Sequence, residues 1–389
     1  MPPHARTAGS RVSELDSVRG LAAFVVLLHH LWEVTLPDQN SFPLHGFPGF
    51  GHDRLIDVAF WICVSPLRLL FNGHAAVGLF FVLSGFALMK SLEGPRRVPY
   101  RSFVVRRFFR IYPPFALVIL IAATASALIR PQAIPGRDWL NDYWRTPVTS
   151  GLVWGHLGMI ATSGYFVSLN SSMWTLVHEL RISMIFPLLA ACALRYPRAT
   201  LAAALAVFTA LSITHLTSVL IAPVPGAFLK QLCLSFIGSV RYCLFFVLGI
   251  LLARRPAFLQ FGPIASPWRR AALWVVPFAL LLIPYTAGYL ELGYAIGAYL
   301  LLDLCMRSTR ARAVLRHPVL LWLGRVSYSL YLTHLVILIG SVYLLHRLLP
   351  MPVILLMVIV LALIAAELLH RAVELPSSAL GKYLAHRMA

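Results

Sequence analysis

About ten apolar stretches, most of them near twenty residues long and separated by polar or arginine-bearing segments, constrain this 389-residue chain more than any other feature. A helix needs about 20 apolar residues to cross a hydrocarbon core of about 30 Å. In lipid every backbone polar group must be satisfied internally, so such stretches are helical or belong to closed barrels. Hydrophobic residues make up 59% of the chain and charged residues 12%. With a mean hydropathy of +0.78, no soluble domain of this size could hide so much apolar surface. The expected class is therefore an all-α, polytopic integral membrane protein. The spans read approximately as 15–34, 75–92, 111–129, 174–194, 199–219, 240–253, 271–286, 288–306, 319–345 and 353–373.

The net charge of +19 is sorted by these spans. With the N-terminus inside, inner segments hold twenty-three Lys and Arg residues and outer segments eight. That asymmetry predicts both termini in the cytoplasm and an even number of spans. It also accounts for the positive charge without nucleic acid, which is not an expected partner; membrane lipids are. One transmembrane domain is expected over 1–389, its core about 12–373, with no appended soluble domain. The first apolar segment shows no small-residue cleavage site after a short apolar core and reads as a retained helix. The five cysteines show no CxxC, and the scattered histidines of the outer loops have no HxxxH-type spacing, so neither a disulfide framework nor a metal site is expected. Two outer loops, 35–74 and 130–173, are long and aromatic, as functional or interfacial loops are.

Against this apolar background the ionisable residues stand out, because keeping one at membrane depth is costly. The first span reads LDSVRGLAAFVVLLHHLW, with Arg19 near its start and His29 and His30 near its end. Arg19 and His30 differ by roughly 20° around a helix and by roughly 16 Å along it; His29 points about 100° away from His30. The shared face favours His30 over His29. On the cytoplasmic side RRVPYRSFVVRRFFRIYPP places Arg106 and Arg110 on one helical face with Arg107 beside them. Guanidiniums so grouped suit phosphates; the plainer alternative is positive-inside topology with anionic lipid contacts. In AVGLFFVLSGFALMKS the small residues Gly78, Ser84 and Gly85 allow close helix approach or line a cavity. In SSMWTLVHELRISMIFPLL, Glu179 lies about 24 Å above the cytoplasmic boundary, in the same outward half as His30. A carboxylate facing a histidine would fix its tautomer and raise its basicity; alternatively Glu179 pairs with Arg181 or faces the outer loop. The span LGRVSYSLYLTHLVI carries Tyr328, Tyr331 and His334, lining a cavity or bonding neighbouring helices.

The combination and order of these elements resembles the membrane acyltransferase 3 family, whose members O-acylate bacterial cell-surface glycans and some secondary metabolites. The resemblance rests on Arg19 and His30, FFVLSGF, RRFFRIYP, the WTLVHE run beginning at Trp174 with a following FP, and LGRVSYSLYLTHLV, and covers nearly the whole chain. It implies that His30 is the essential membrane histidine with Arg19 its partner. It implies further that Arg106, Arg107 and Arg110 engage an acyl-CoA donor, acetyl-CoA being expected, and that Glu179 is the carboxylate of the Trp-Ser-Leu-x-x-Glu element. Thr175 replaces the usual Ser of that element, and Ile182 and Ser183 replace the usual aromatic pair. The implied activity moves an acyl group to a hydroxyl of a glycan or other hydroxylated acceptor in a bacterial inner membrane, with acyl-CoA as co-substrate and no tightly bound cofactor. The other reading is a transporter or flippase for a lipid-linked or glycan substrate, since intramembrane His, Glu and Arg also build proton relays.

Overall fold

We describe the protein from a computed structural model covering residues 13–35, 65–93, 99–160, 167–213, 217, 220–224, 226–256, 267–283 and 290–388. Most of the first long outer loop, including His45 and His52, lies outside these residues, as do Arg96, Arg97 and Tyr165.

Among the described residues the chain is helical and contains no strand. Helices α1 (Ser13–Thr35), α2 (Gly73–Leu92), α3 (Tyr100–Ile129), α4 (Ser150–Leu157) and α5 (Met173–Arg195) come first. They are followed by α6 (Pro197–Ser212), α7 (Ala227–Arg254), α8 (Pro267–Leu281) and α9 (Glu291–Arg307). The last four are α10 (Thr309–Leu315), α11 (Pro318–Leu345), α12 (Met351–Leu369) and α13 (Leu375–Arg387). Among the described residues seven helices are long and apolar enough to cross a membrane; the last is the continuous run Met351–Arg387. Three more expected spans are the shorter helices α6, α8 and α9, of 16, 15 and 17 residues. At about 1.5 Å per residue these are shorter than the hydrocarbon core.

Several boundaries differ from the hydropathy reading for a physical reason. Helix α3 begins at Tyr100, eleven residues before the apolar run, so the RRFFR block is itself helical. Helix α7 likewise begins well before its apolar stretch, at Ala227. Charged residues interrupt hydropathy but not helical hydrogen bonding, and arginine and lysine are good helix formers.

Glycines set the two tightest crossings. A Cβ on Gly20 would lie 2.5 Å from the backbone N of Gly324, and one on Gly324 would lie 2.4 Å from the Asp16 carbonyl oxygen. Helices α1 and α11 therefore touch backbone to backbone. Gly85 and Gly249 do the same for α2 and α7, where added Cβ atoms would lie 2.4 Å from the Phe246 carbonyl and 2.2 Å from that of Val82. Small residues at such crossings let helices pack where no hydrophobic effect separates them from lipid. Gly85 is thus a packing residue. Beside this crossing Phe81, Phe245, Phe246, Phe186 and Tyr242 fill the core with tilted and edge-on rings.

The segment after α3 folds back over one end of the bundle. Arg137 Nη1 donates to the carbonyls of Val34 and Thr35, 2.7 and 2.8 Å, capping the C-terminal end of α1. Trp144 Nε1 donates to Leu169 O, and His156 is fully buried between Leu152 and Leu169. The described part of this segment is a packed cover.

Candidate active site

Among the described residues two chambers are lined by ionisable side chains of α1, one near each end of the helix. The first is lined by Arg19, Ser84, Arg107, Arg110, Glu179 and Tyr328 among others. Arg107 is buried and its Nη2 reaches Glu179 Oε1 at 2.8 Å and Ser183 Oγ at 3.0 Å. Ser84 Oγ donates to the same carboxylate oxygen at 3.2 Å. Arg19 is held by Asp16 at 3.2 Å and donates to Ser327 Oγ and Gly324 O, at 3.0 and 3.2 Å. The Gly20–Gly324 contact makes this reach possible. Tyr328 donates to Ile111 O at 2.6 Å. The arginine triplet does not act as one grip: Arg107 turns inward to Glu179, while Arg110 is exposed at the rim and Arg106 is exposed and does not line the chamber.

The second chamber is lined by His29, His30, Glu33, His74, Trp139 and Trp174 among others. His30 Nδ1 lies 2.7 Å from Glu33 Oε2. A carboxylate only accepts, so Nδ1 carries a hydrogen, and in the neutral ring Nε2 holds the lone pair. The ring is clamped between Trp139 and His334, stacked on them with centroids 5.4 and 5.3 Å away. Trp139 comes from the folded-back loop, so that cover helps shape the site. His334 donates through Nδ1 to Leu330 O, and its buried Nε2 has no hydrogen-bond partner among the described residues.

Tyr331 lines both chambers. Its hydroxyl donates to Ser172 O at 3.1 Å and lies 2.8 Å from Thr175 Oγ1, so the Thr that stands in place of Ser fixes the wall between them. Helix α5 serves both sides: Trp174 borders the histidines, while Thr175 and Glu179, four apart on one face, border the arginines.

This arrangement corrects the expected pairing of Glu179 with His30. Depth along the membrane places the two alike, but depth does not decide which neighbour a helix faces. Glu179 faces Arg107, and the carboxylate at His30 is Glu33 from the same helix. Nor does Glu179 pair with Arg181, which donates to Ser235 Oγ and to the carbonyl of Ile160. His178 bonds Ser239 and lies outside both chambers. Sequence reasoning missed Glu33, although its spacing of three and four residues from the two histidines was a usable signal. It also missed Trp139, whose placement depends on a loop folding back, for which the sequence holds no periodic signal.

The family model for acyltransferase 3, described as an acyltransferase domain, matches residues 12–371. No curated protein and no solved structure matches the chain.

Proposed function

The chain belongs to the acyltransferase 3 family, which its family model spans almost from end to end, and from that premise we propose that it is an acyl-CoA-dependent membrane O-acyltransferase. Acetyl is the group proposed, and a hydroxyl of a glycan or another hydroxylated molecule the acceptor. The observation that carries this reading is the division of the membrane-embedded bundle into an arginine chamber and a histidine chamber that share Tyr331 as a wall. The transporter reading yields to the family.

In this proposal the arginine chamber opens to the cytoplasm, as positive-inside topology requires. Arg110 at its rim and the exposed Arg106, one helical turn before it, take the donor phosphates. Arg107, neutralised by Glu179, shapes the wall along which the pantetheine arm extends. Arg19, held by Asp16, Ser327 and Gly324, adds positive charge to the chamber that receives the donor. His30 Nε2 removes the proton from the acceptor hydroxyl, and Glu33 holds the imidazole tautomer and stabilises the imidazolium. The acceptor oxygen bonds to the acyl carbon, the carbon–sulfur bond breaks, and the proton held by His30 is returned to the leaving thiolate.

The test is acyl transfer. Wild type and His30→Ala are reconstituted with radiolabelled acetyl-CoA and a panel of envelope glycan extracts from a bacterial host. Label entering a glycan with wild type, and falling by about 10²–10⁴-fold in the variant, is expected. Equal labelling by both proteins would remove His30 from the chemistry.

A further inference from the structure

We infer that His29, His30 and Glu33 form a binding site for a divalent transition-metal cation of the zinc type in the histidine chamber. One ligand atom from each of the three lies within 4.8 Å of the others. The hydrogen-bond pattern around His29 argues that this is more than proximity. Its Nδ1 is 2.8 Å from the Phe71 carbonyl oxygen, which only accepts, so Nδ1 carries the hydrogen. In the neutral ring Nε2 then presents a lone pair, and it faces Glu33 Oε1 at 3.4 Å. Two acceptors face one another across a gap that an electrophile would fill. Bond lengths of about 2.0–2.1 Å in a tetrahedral zinc site imply ligand–ligand edges of about 3.4 Å, which is the gap present.

The shell behind the ligands has the form that metal sites use. A backbone carbonyl on the far nitrogen orients a ligating imidazole and fixes its tautomer, as Phe71 does for His29. Helix α2 is bare where the ring sits: a Cβ on Gly73 would lie 2.4 Å from His29 Cδ2. The ring therefore packs against backbone. Among the described residues the ion pairs of Glu33 are with the two histidines, and it has none with Lys or Arg. A carboxylate at membrane depth needs countercharge, and a dication held with two neutral imidazoles supplies it. Two nitrogens and one oxygen select a borderline cation over magnesium or calcium. His30 Nδ1 joins by exchanging its hydrogen for the metal, its 2.7 Å contact with Glu33 opening by several tenths of an ångström. The fourth position faces the chamber.

One consequence rests on the proposed role of His30. Metal on Nδ1 leaves the hydrogen on Nε2, so the lone pair that would accept the acceptor's proton is lost. The cation would then switch the transferase off.

Binding is measured without any acyl donor, so its result stands apart from the proposed activity. Full-length protein in nanodiscs is stripped with a chelator and titrated with Co²⁺, read by its visible d–d absorption. One equivalent per chain, displaced by Zn²⁺, is expected for wild type and for Arg107→Ala. His29→Gln and Glu33→Gln should each weaken binding at least tenfold. Absence of saturable binding, or binding unchanged in both variants, overturns the site. Should neither variant elute as a monodisperse protein, X-ray absorption on Zn²⁺-loaded wild type decides: two imidazoles and a carboxylate support the site, and any other shell overturns it. Zn²⁺ bound in this shell that leaves acetyl transfer undiminished would support the site and count against His30 as the base.

Discussion

Glu33 sits one helical turn beyond His29 and His30 and contacts both, so three residues of α1 form one cluster in the second chamber. Its contact with His30 Nδ1 leaves the ring a single basic nitrogen. Replacing Glu33 with Gln keeps the volume but offers His30 an amide that can donate as well as accept. The tautomer is then no longer fixed and the imidazolium is no longer stabilised. Glu33→Gln should lower kcat for acetyl transfer by about 10²–10⁴-fold while the KM for acetyl-CoA stays within about twofold, since the donor side is untouched. A rise in KM with kcat preserved would place Glu33 in donor binding instead.

At the scale of the element, the folded-back loop and the arginine-bearing start of α3 carry most of what hydropathy leaves out. His156 is fully buried in that loop, outside the spanning helices. Its Nδ1 donates to Leu152 O, and its Nε2 accepts from the Leu169 N–H at 3.1 Å. Protonation would destroy that second bond, and burial pushes the imidazole down from 6.5 to about 4. The unfolded loop therefore binds more protons than the folded one between these values. The stabilisation is fully present above pH 6.5 and is lost as pH falls toward 4, by up to about 3 kcal/mol. Limited proteolysis across 150–170 as a function of pH should show protection failing over that interval. His156→Gln should flatten the dependence; an unchanged pH profile in the variant would assign it to another group.

For the whole molecule, the parity of membrane crossings is the open architectural quantity. Among the described residues seven helices are long and apolar enough to span, and seven crossings alone would leave the termini on opposite sides. If α6, α8 and α9 also cross, there are ten and the termini share a side. Helices of 15 to 17 residues can span where the bilayer thins locally, at a modest cost per ångström of mismatch. The arginine asymmetry favours ten. Reporter fusions, fluorescent only in the cytoplasm, should therefore light up at both ends of the chain; fluorescence at one end alone would fix an odd count.

Much of this was legible in the residues. Each of the ten expected spans contains a helix, because lipid leaves an apolar stretch of that length no other backbone solution. Arg19, Glu179, Tyr328 and Tyr331 stood out as polar residues in apolar spans, Arg107 and Arg110 as part of a charge cluster and Ser84 as a small residue, and all border one chamber. Their partners were not legible. Glu179 to Arg107 spans 72 residues, and Arg19 to Ser327 spans 308.

The sequence by itself determined the solvent of this protein, the approximate places of its helices and the family to which it belongs. These follow from local composition and from motif order, and neither needs a neighbour in space. Only the tertiary structure decided that Glu179 serves the arginines, that Glu33 serves the histidines and that Tyr331 stands between them. Helical periodicity fixes the face a residue occupies on its own helix. Which helix meets that face is set by packing, here by the glycine crossings of α1 with α11 and of α2 with α7.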